Sequence, residues 1–91
     1  MFYVYILLCE NGSYYTGYTN DLERRYQEHV QGTYKCKFTQ SFKPVKIAQS
    51  WKIYDDKSTA MKIERFIKKL SKAEKEQIIL FPDKLPQMYL D

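Results

Sequence analysis

Cysteine is scarce: Cys9 and Cys36 are the only two, too few and too far apart for a zinc site. With no secretory leader ahead of them, they read as reduced thiols of a cytoplasmic protein rather than a disulfide framework. Long apolar runs are missing too. No stretch approaches the ~20 residues that a membrane-spanning helix needs, so the chain reads as soluble. Glycine and proline number three each, and there are no repeats, linkers or low-complexity tracts. A chain of 91 residues without such breaks is one domain, large enough to build a core without staples. A second domain is excluded.

Aromatic residues are plentiful. They make up 16% of the chain within a hydrophobic share of 44%, and nine of them are tyrosines. A phenol packs like an apolar ring but also hydrogen-bonds and exchanges protons. Fifteen Lys and Arg against eleven Asp and Glu give a net charge of +4 and a pI near 9.0. That balance favours polyanionic partners without requiring one.

The chain opens with Phe2-Tyr3-Val4-Tyr5-Ile6-Leu7-Leu8-Cys9, apolar or aromatic at alternating positions on both faces, as a central strand covered on both sides would be. Glu10-Asn11-Gly12 turns the chain, and Ser13 to Tyr18 returns as a second strand. A two-residue Asn-Gly turn would put Tyr5 and Tyr15 on different faces. A three-residue loop with Gly12 left-handed sets Tyr5 opposite Gly17 and puts both tyrosines on one face. The second register is expected, with Gly17 leaving open space over Tyr5 for a substrate backbone.

Asn20 followed by Glu23 reads as a capping box, so a helix starts near Asp21 and ends at Gly32. Its inward stripe is Leu22, Tyr26 and Val30, with Arg24 toward solvent. Arg25 and His29, four residues apart, reach one point beside the sheet. From this helix alone they admit two readings, a functional pair or a boundary pair snorkelling at the core rim. Thr33 to Lys43 is a basic connector with a short helical turn near Phe38. Val45 to about Tyr54 alternates as a third, edge strand.

Asp55, Asp56 or Ser58 starts a further helix running to Leu70, with Ala60, Ile63, Ile67 and Leu70 inward. Glu64 flanks that stripe, where a carboxylate needs a compensating cation. A salt bridge to Arg25 and a role as metal ligand both satisfy it. Ser71 and Glu74 form another capping box, which opens a short helix reaching about Leu80. Residues 1–82 make the domain, and 83–91 a C-terminal tail that packs back or frays.

Tyr3-Val4-Tyr5, Tyr15-Thr16-Gly17, then Arg25, His29 and a distant helical Glu64 form an ordered series. It includes Thr-Asn-Asp-Leu-x-Arg-Arg-x-x-x-His and Ala60-x-x-x-Glu64-x-x-x-Lys68. The whole chain resembles the GIY-YIG nuclease superfamily, and in particular its small stand-alone single-domain bacterial group. Tyr3 replaces the first Gly of the motif name, and Val4 and Thr16 its two isoleucines, all at packing positions. Tyr18 stands where some members carry Lys, which removes one phosphate contact. The resemblance implies an α+β fold, a small three-stranded antiparallel sheet flanked by helices in the order β-β-α-β-α-α. It further implies cleavage of phosphodiester bonds in nucleic acid, DNA first, with Mg²⁺ or Mn²⁺ as cofactor. The site it implies is Tyr5, Tyr15, Arg25, His29 and Glu64, with Glu64 the metal ligand.

In that scheme Tyr5 is the first choice of general base, His29 relays the proton or is itself the base, Tyr15 orients water or phosphate, and Arg25 neutralises phosphate charge. Lys35, Lys37, Lys43, Lys68, Lys72 and Lys75 form either a rim for the nucleic-acid backbone or a solvated face. Nothing in the chain reads base sequence. The expected activity is therefore structure-dependent or weakly specific endonucleolytic cleavage in DNA repair or processing, by a monomer. One alternative is a non-catalytic nucleic-acid-binding module that keeps the fold. Another is a protein-interaction module using the edge of the third strand.

Overall fold

The computed structural model of the protein describes residues 1–32, 39 and 41–90. Three strands, β1 (Phe2–Cys9), β2 (Tyr14–Thr19) and β3 (Pro44–Ile53), form an antiparallel sheet in the order β2-β1-β3. Helices α1 (Leu22–Gln31), α2 (Lys57–Lys68), α3 (Lys72–Leu80) and α4 (Lys84–Leu90) complete the described elements. The fold is α+β, as expected, with β1 central.

Because β1 is apolar on both faces, the sheet carries two cores. Val4 and Ile6 face Ala60 and Ile67 of α2, Ile78 of α3 and Leu85 of α4. Tyr5, Leu7 and Cys9 face the other way, where Leu22 and Tyr26 of α1 cover them. Of the expected tail, residues 84–90 pack back as α4: Leu85 is buried and Phe66 meets Tyr89 edge to face at 5.5 Å; just ahead of it, Trp51 Nε1 donates to the Pro82 carbonyl at 3.0 Å.

The hairpin takes the three-residue register, pairing Leu7 with Tyr15 and Tyr5 with Gly17. Gly12 sits at φ 82° and donates its N–H to the Cys9 carbonyl at 2.9 Å. A side chain there is disfavoured by the backbone alone. Asn11 Oδ1 accepts from Ser13 N at 3.1 Å, which fixes the turn locally.

Helix α1 departs from the sequence reading in two ways. Its N-cap is Asp21, not Asn20: Asp21 Oδ1 accepts from Arg24 N at 3.1 Å. β2 runs one residue further than read, and Thr19 Oγ1 accepts from Asp21 N at 3.1 Å, which leaves the next residue to cap. Glu23 is then at the second helical position, where no capping box forms. The inward stripe is Leu22, Tyr26 and His29, with Val30 39% exposed. Gly32, at φ 69°, ends the helix by donating to the Glu28 carbonyl at 3.0 Å.

Asp56 caps α2 through Thr59 N. Ser71 and Glu74 form the expected reciprocal capping box on α3.

Candidate active site

Four elements bring functional side chains to an open cleft of about 440 Å³: Tyr5 from β1, Tyr15 from β2, Arg25 from α1 and Glu64 from α2. The cleft takes Tyr5, Tyr15 and Gly17 from one face of the sheet and Phe2 and Tyr18 from the other, so it wraps the free β2 edge. This is how helices on opposite faces contribute to one site.

The positions follow from local structure. Tyr5 and Tyr15 share a face because of the hairpin register, and their ring centroids lie 6.4 Å apart. Gly17, directly opposite Tyr5, was expected to leave room for a substrate. The phenol of Tyr5 itself takes that room: a Cβ on Gly17 would stand 2.5 Å from Tyr5 Oη and 2.7 Å from Tyr5 Cζ. Glycine is required here by close approach rather than by backbone angle.

The charged groups are held by partners on their own helices. Arg25 Nη1 pairs with Glu28 at 3.0 Å, and Glu64 pairs with Lys68 at 3.4 Å with its side chain 15% exposed. The Glu64–Arg25 bridge considered from sequence is thus not the one that forms, since an i,i+4 partner lies nearer to hand.

His29 does not line the cleft. Its ring is fully buried behind Tyr5, with Nε2 hydrogen-bonded to Tyr5 Oη at 2.9 Å and Nδ1 to Thr39 Oγ1 at 2.9 Å. The Tyr15 ring packs on it edge to face at 4.9 Å. Burial, reinforced by the Arg25 guanidinium and opposed by Glu28, pushes its pKa from the ordinary 6.5 down to about 4. The ring is therefore neutral at neutral pH. That argues against His29 as the base that meets water, and in favour of its acting through Tyr5.

Of the basic residues singled out, Lys35 and Lys37 lie outside the described residues. Lys43 Nζ donates to the Val30 carbonyl at the end of α1 at 3.2 Å. Lys72 Nζ donates to the Gly12 carbonyl at 3.0 Å and, with Lys75, lines a groove by the hairpin tip. Lys68 is the partner of Glu64. Sequence reasoning missed Lys57, which lines the cleft from the first turn of α2; its place just after the Asp56 cap was the available signal. It also missed Thr39, for which no local pattern speaks.

Among the described residues no three His, Cys, Asp or Glu side chains cluster as a metal cage, and no helix is long and apolar enough to cross a membrane. Cys9 is buried, and burial together with Glu10 pushes its thiol pKa up, which leaves it unreactive.

The chain is similar to several known small proteins. A UPF0213 protein from Syntrophus aciditrophicus is 47% identical over 77 residues, 85% of this chain and 87% of that one. A UPF0213 protein from Halobacterium salinarum is 44% identical over 78 residues, 86% of this chain and 99% of that one. The solution NMR structure of a UPF0213 protein from Bacillus halodurans matches with a TM-score of 0.56 at 39% identity, covering 89% of this chain and 85% of that chain. Residues 1–77 match the model of the GIY-YIG catalytic domain, and the chain belongs to the GIY-YIG family, with UPF0213 proteins as its relatives.

Proposed function

We propose that this protein is a divalent-metal-dependent nuclease that hydrolyses phosphodiester bonds, acting first on DNA and serving DNA repair or processing. The observation that carries the reading is the convergence of Tyr5, Tyr15, Arg25 and Glu64 from four separate elements on one cleft. Packing alone gives no reason for an arginine, a carboxylate and two phenols to share a polar opening.

Phosphodiester hydrolysis needs an activated water, charge relief on the phosphate and stabilisation of the leaving oxygen. The cleft fits one Mg²⁺ or Mn²⁺. A hard cation accepts a single carboxylate when there is room for its remaining waters, and Glu64 in an open cleft offers both. When bound there, such an ion would supply Lewis-acid charge relief at phosphate and leaving oxygens. Arg25 neutralises a non-bridging phosphate oxygen with two in-plane donors, and Lys57, which also lines the cleft, adds a second cation, which offsets the loss of a lysine at Tyr18. Tyr5 accepts the proton of the attacking water. A phenol ordinarily titrates near pH 10, so this role requires neighbouring positive charge and hydrogen-bond donors that favour the phenolate. Tyr15 orients the water or the phosphate.

With phosphate contacts as the binding groups the cleft offers, recognition is by backbone and shape. The test is incubation of the purified protein with labelled single-stranded, duplex, nicked and branched DNA and an RNA, with Mg²⁺, Mn²⁺ or EDTA, alongside Glu64→Ala. Cleavage that needs metal and is lost in the variant supports the reading. Salt-sensitive binding with no turnover by the folded wild type on any substrate replaces it with a non-catalytic binding module.

A further inference from the structure

The proton chemistry of Tyr5 does not end at Tyr5. Behind it runs a hydrogen-bonded chain of three buried side chains from three parts of the sequence: Tyr5 Oη to His29 Nε2 at 2.9 Å, and His29 Nδ1 to Thr39 Oγ1 at 2.9 Å. Tyr5 is 1% exposed, and His29 and Thr39 are 0% exposed.

A neutral imidazole carries one N–H and one lone pair, so such a chain has a direction. Either Nδ1–H donates to Thr39 and Tyr5 O–H donates to Nε2, or Thr39 O–H donates to Nδ1 and Nε2–H donates to Tyr5. The first arrangement holds the phenol protonated. The second favours the phenolate, because an N–H aimed at the oxygen stabilises its charged form. What stands at Nδ1 decides which is open. A carboxylate or a backbone carbonyl there would only accept, and would lock the ring as Nδ1–H. A carboxylate would also stabilise an imidazolium. A threonine hydroxyl can donate, and it carries no charge to compensate a protonated ring.

We propose that Thr39 is a positioning residue: its hydroxyl donates to Nδ1, holds His29 as the neutral Nε2–H tautomer, and so aims an N–H at the oxygen of Tyr5. His29 then takes no proton during the reaction. Tyr5, its phenolate favoured by that N–H and by the Arg25 cation in the same cleft, takes the proton of the water. Among the described residues, the charged groups that act on His29 are Arg25, which disfavours protonation of the ring, and Glu28, which favours it; both belong to α1. The mechanistic consequence rests on the nuclease reading above, whereas the tautomer itself does not.

His29 is the single histidine of the chain, so imidazole ¹⁵N labelling reports one ring without ambiguity. Long-range ¹H–¹⁵N correlation spectra of the wild type, Thr39→Ser and Thr39→Val, with a backbone amide spectrum of each to establish folding, read the tautomer directly. The expected result is protonated Nε2 and bare Nδ1 in the wild type and Thr39→Ser, and a shift toward protonated Nδ1 in Thr39→Val. A wild-type ring protonated at Nδ1, or at both nitrogens at neutral pH, overturns the inference, as does a tautomer unchanged in folded Thr39→Val. In cleavage assays Thr39→Val should lose at least tenfold at neutral pH and regain activity as pH rises, while Thr39→Ser stays within about threefold. Thr39→Val cleaving like the wild type at every pH also overturns it. An inactive wild type showing the expected tautomer would count against the nuclease reading alone and support the assignment of Thr39.

Discussion

Acid should destabilise this protein through His29 by a calculable amount. In the unfolded chain the ring takes its proton near pH 6.5, while in the folded protein it refuses until about 4. Between those values the unfolded state binds more protons, so stability is complete above the upper value and falls as pH falls through the window. With ~1.4 kcal/mol per pH unit of displacement, the loss is about 3 kcal/mol. That is a large fraction of the ~5–15 kcal/mol by which domains are stable. The assay is urea unfolding followed by circular dichroism at about pH 7 and about pH 4, for the wild type and for His29→Gln, which cannot titrate. Carboxylates protonate over the same range in both proteins, so only the difference counts. The wild type should lose about 3 kcal/mol more than the variant. Equal losses would refute the reasoning, as would a His29 ring proton that titrates by NMR near its ordinary value.

Three further outcomes follow from packing. Gly17→Ala places a methyl group against the phenol of Tyr5 and should cost roughly 1–3 kcal/mol in urea unfolding, with Tyr5 displaced from His29 and cleavage reduced; an unchanged variant would show that Tyr5 has slack. Thr16 is buried with its hydroxyl unpartnered among the described residues, so Thr16→Val should raise stability by about 1 kcal/mol, and a lower unfolding midpoint would contradict that. Leu85→Ala, in the core beside Val4 and Ile67, should cost ~2–5 kcal/mol; if the unfolding curve does not move, the last helix is not part of the cooperative unit.

Where structure was decided locally, it could be read from the sequence. The register of the first hairpin rests on Gly12 and the residues beside it, and helix α3 on Ser71 and Glu74. The cap of α1 was misplaced because Asn20 and Asp21 are both good caps; the choice between them belongs to Thr19, where the preceding strand ends. Periodicity places Val30 in the core and leaves His29 open between a functional pair with Arg25 and a boundary pair at the core rim, because it counts apolar residues, and an imidazole is buried only when distant partners satisfy it. Those partners, Tyr5 and Thr39, lie 24 and 10 residues away in sequence. No pattern within α1 contains them. The positions of Tyr5, Tyr15, Arg25 and Glu64 were suggested by resemblance, and their meeting at one cleft is a property of the tertiary structure.

The cleft divides its work between groups that yield and groups that do not. Arg25 and Glu64 are each held by a neighbour on the same helix, Glu28 and Lys68. An arriving phosphate or cation competes with these same-helix partners for the two charged groups. Tyr5, His29 and Thr39 are held by burial and by the hydrogen bonds that join them, Tyr5 also forming part of the cleft wall, and moving any of them opens a cavity or strands a polar atom. Substitutions of the first kind should therefore change affinity and its salt dependence, because they alter the charge presented to the substrate. Substitutions of the second kind should change the pH at which the protein works, because they alter where a proton is stable. Arg25→Lys and Thr39→Val make the comparison. A lysine keeps the charge but loses the planar fork, so the first variant should need more substrate at an unchanged pH profile. The second should work at unchanged substrate concentration with the profile displaced upward. Both variants moving the same parameter would mean that binding and proton transfer in this cleft are not separable.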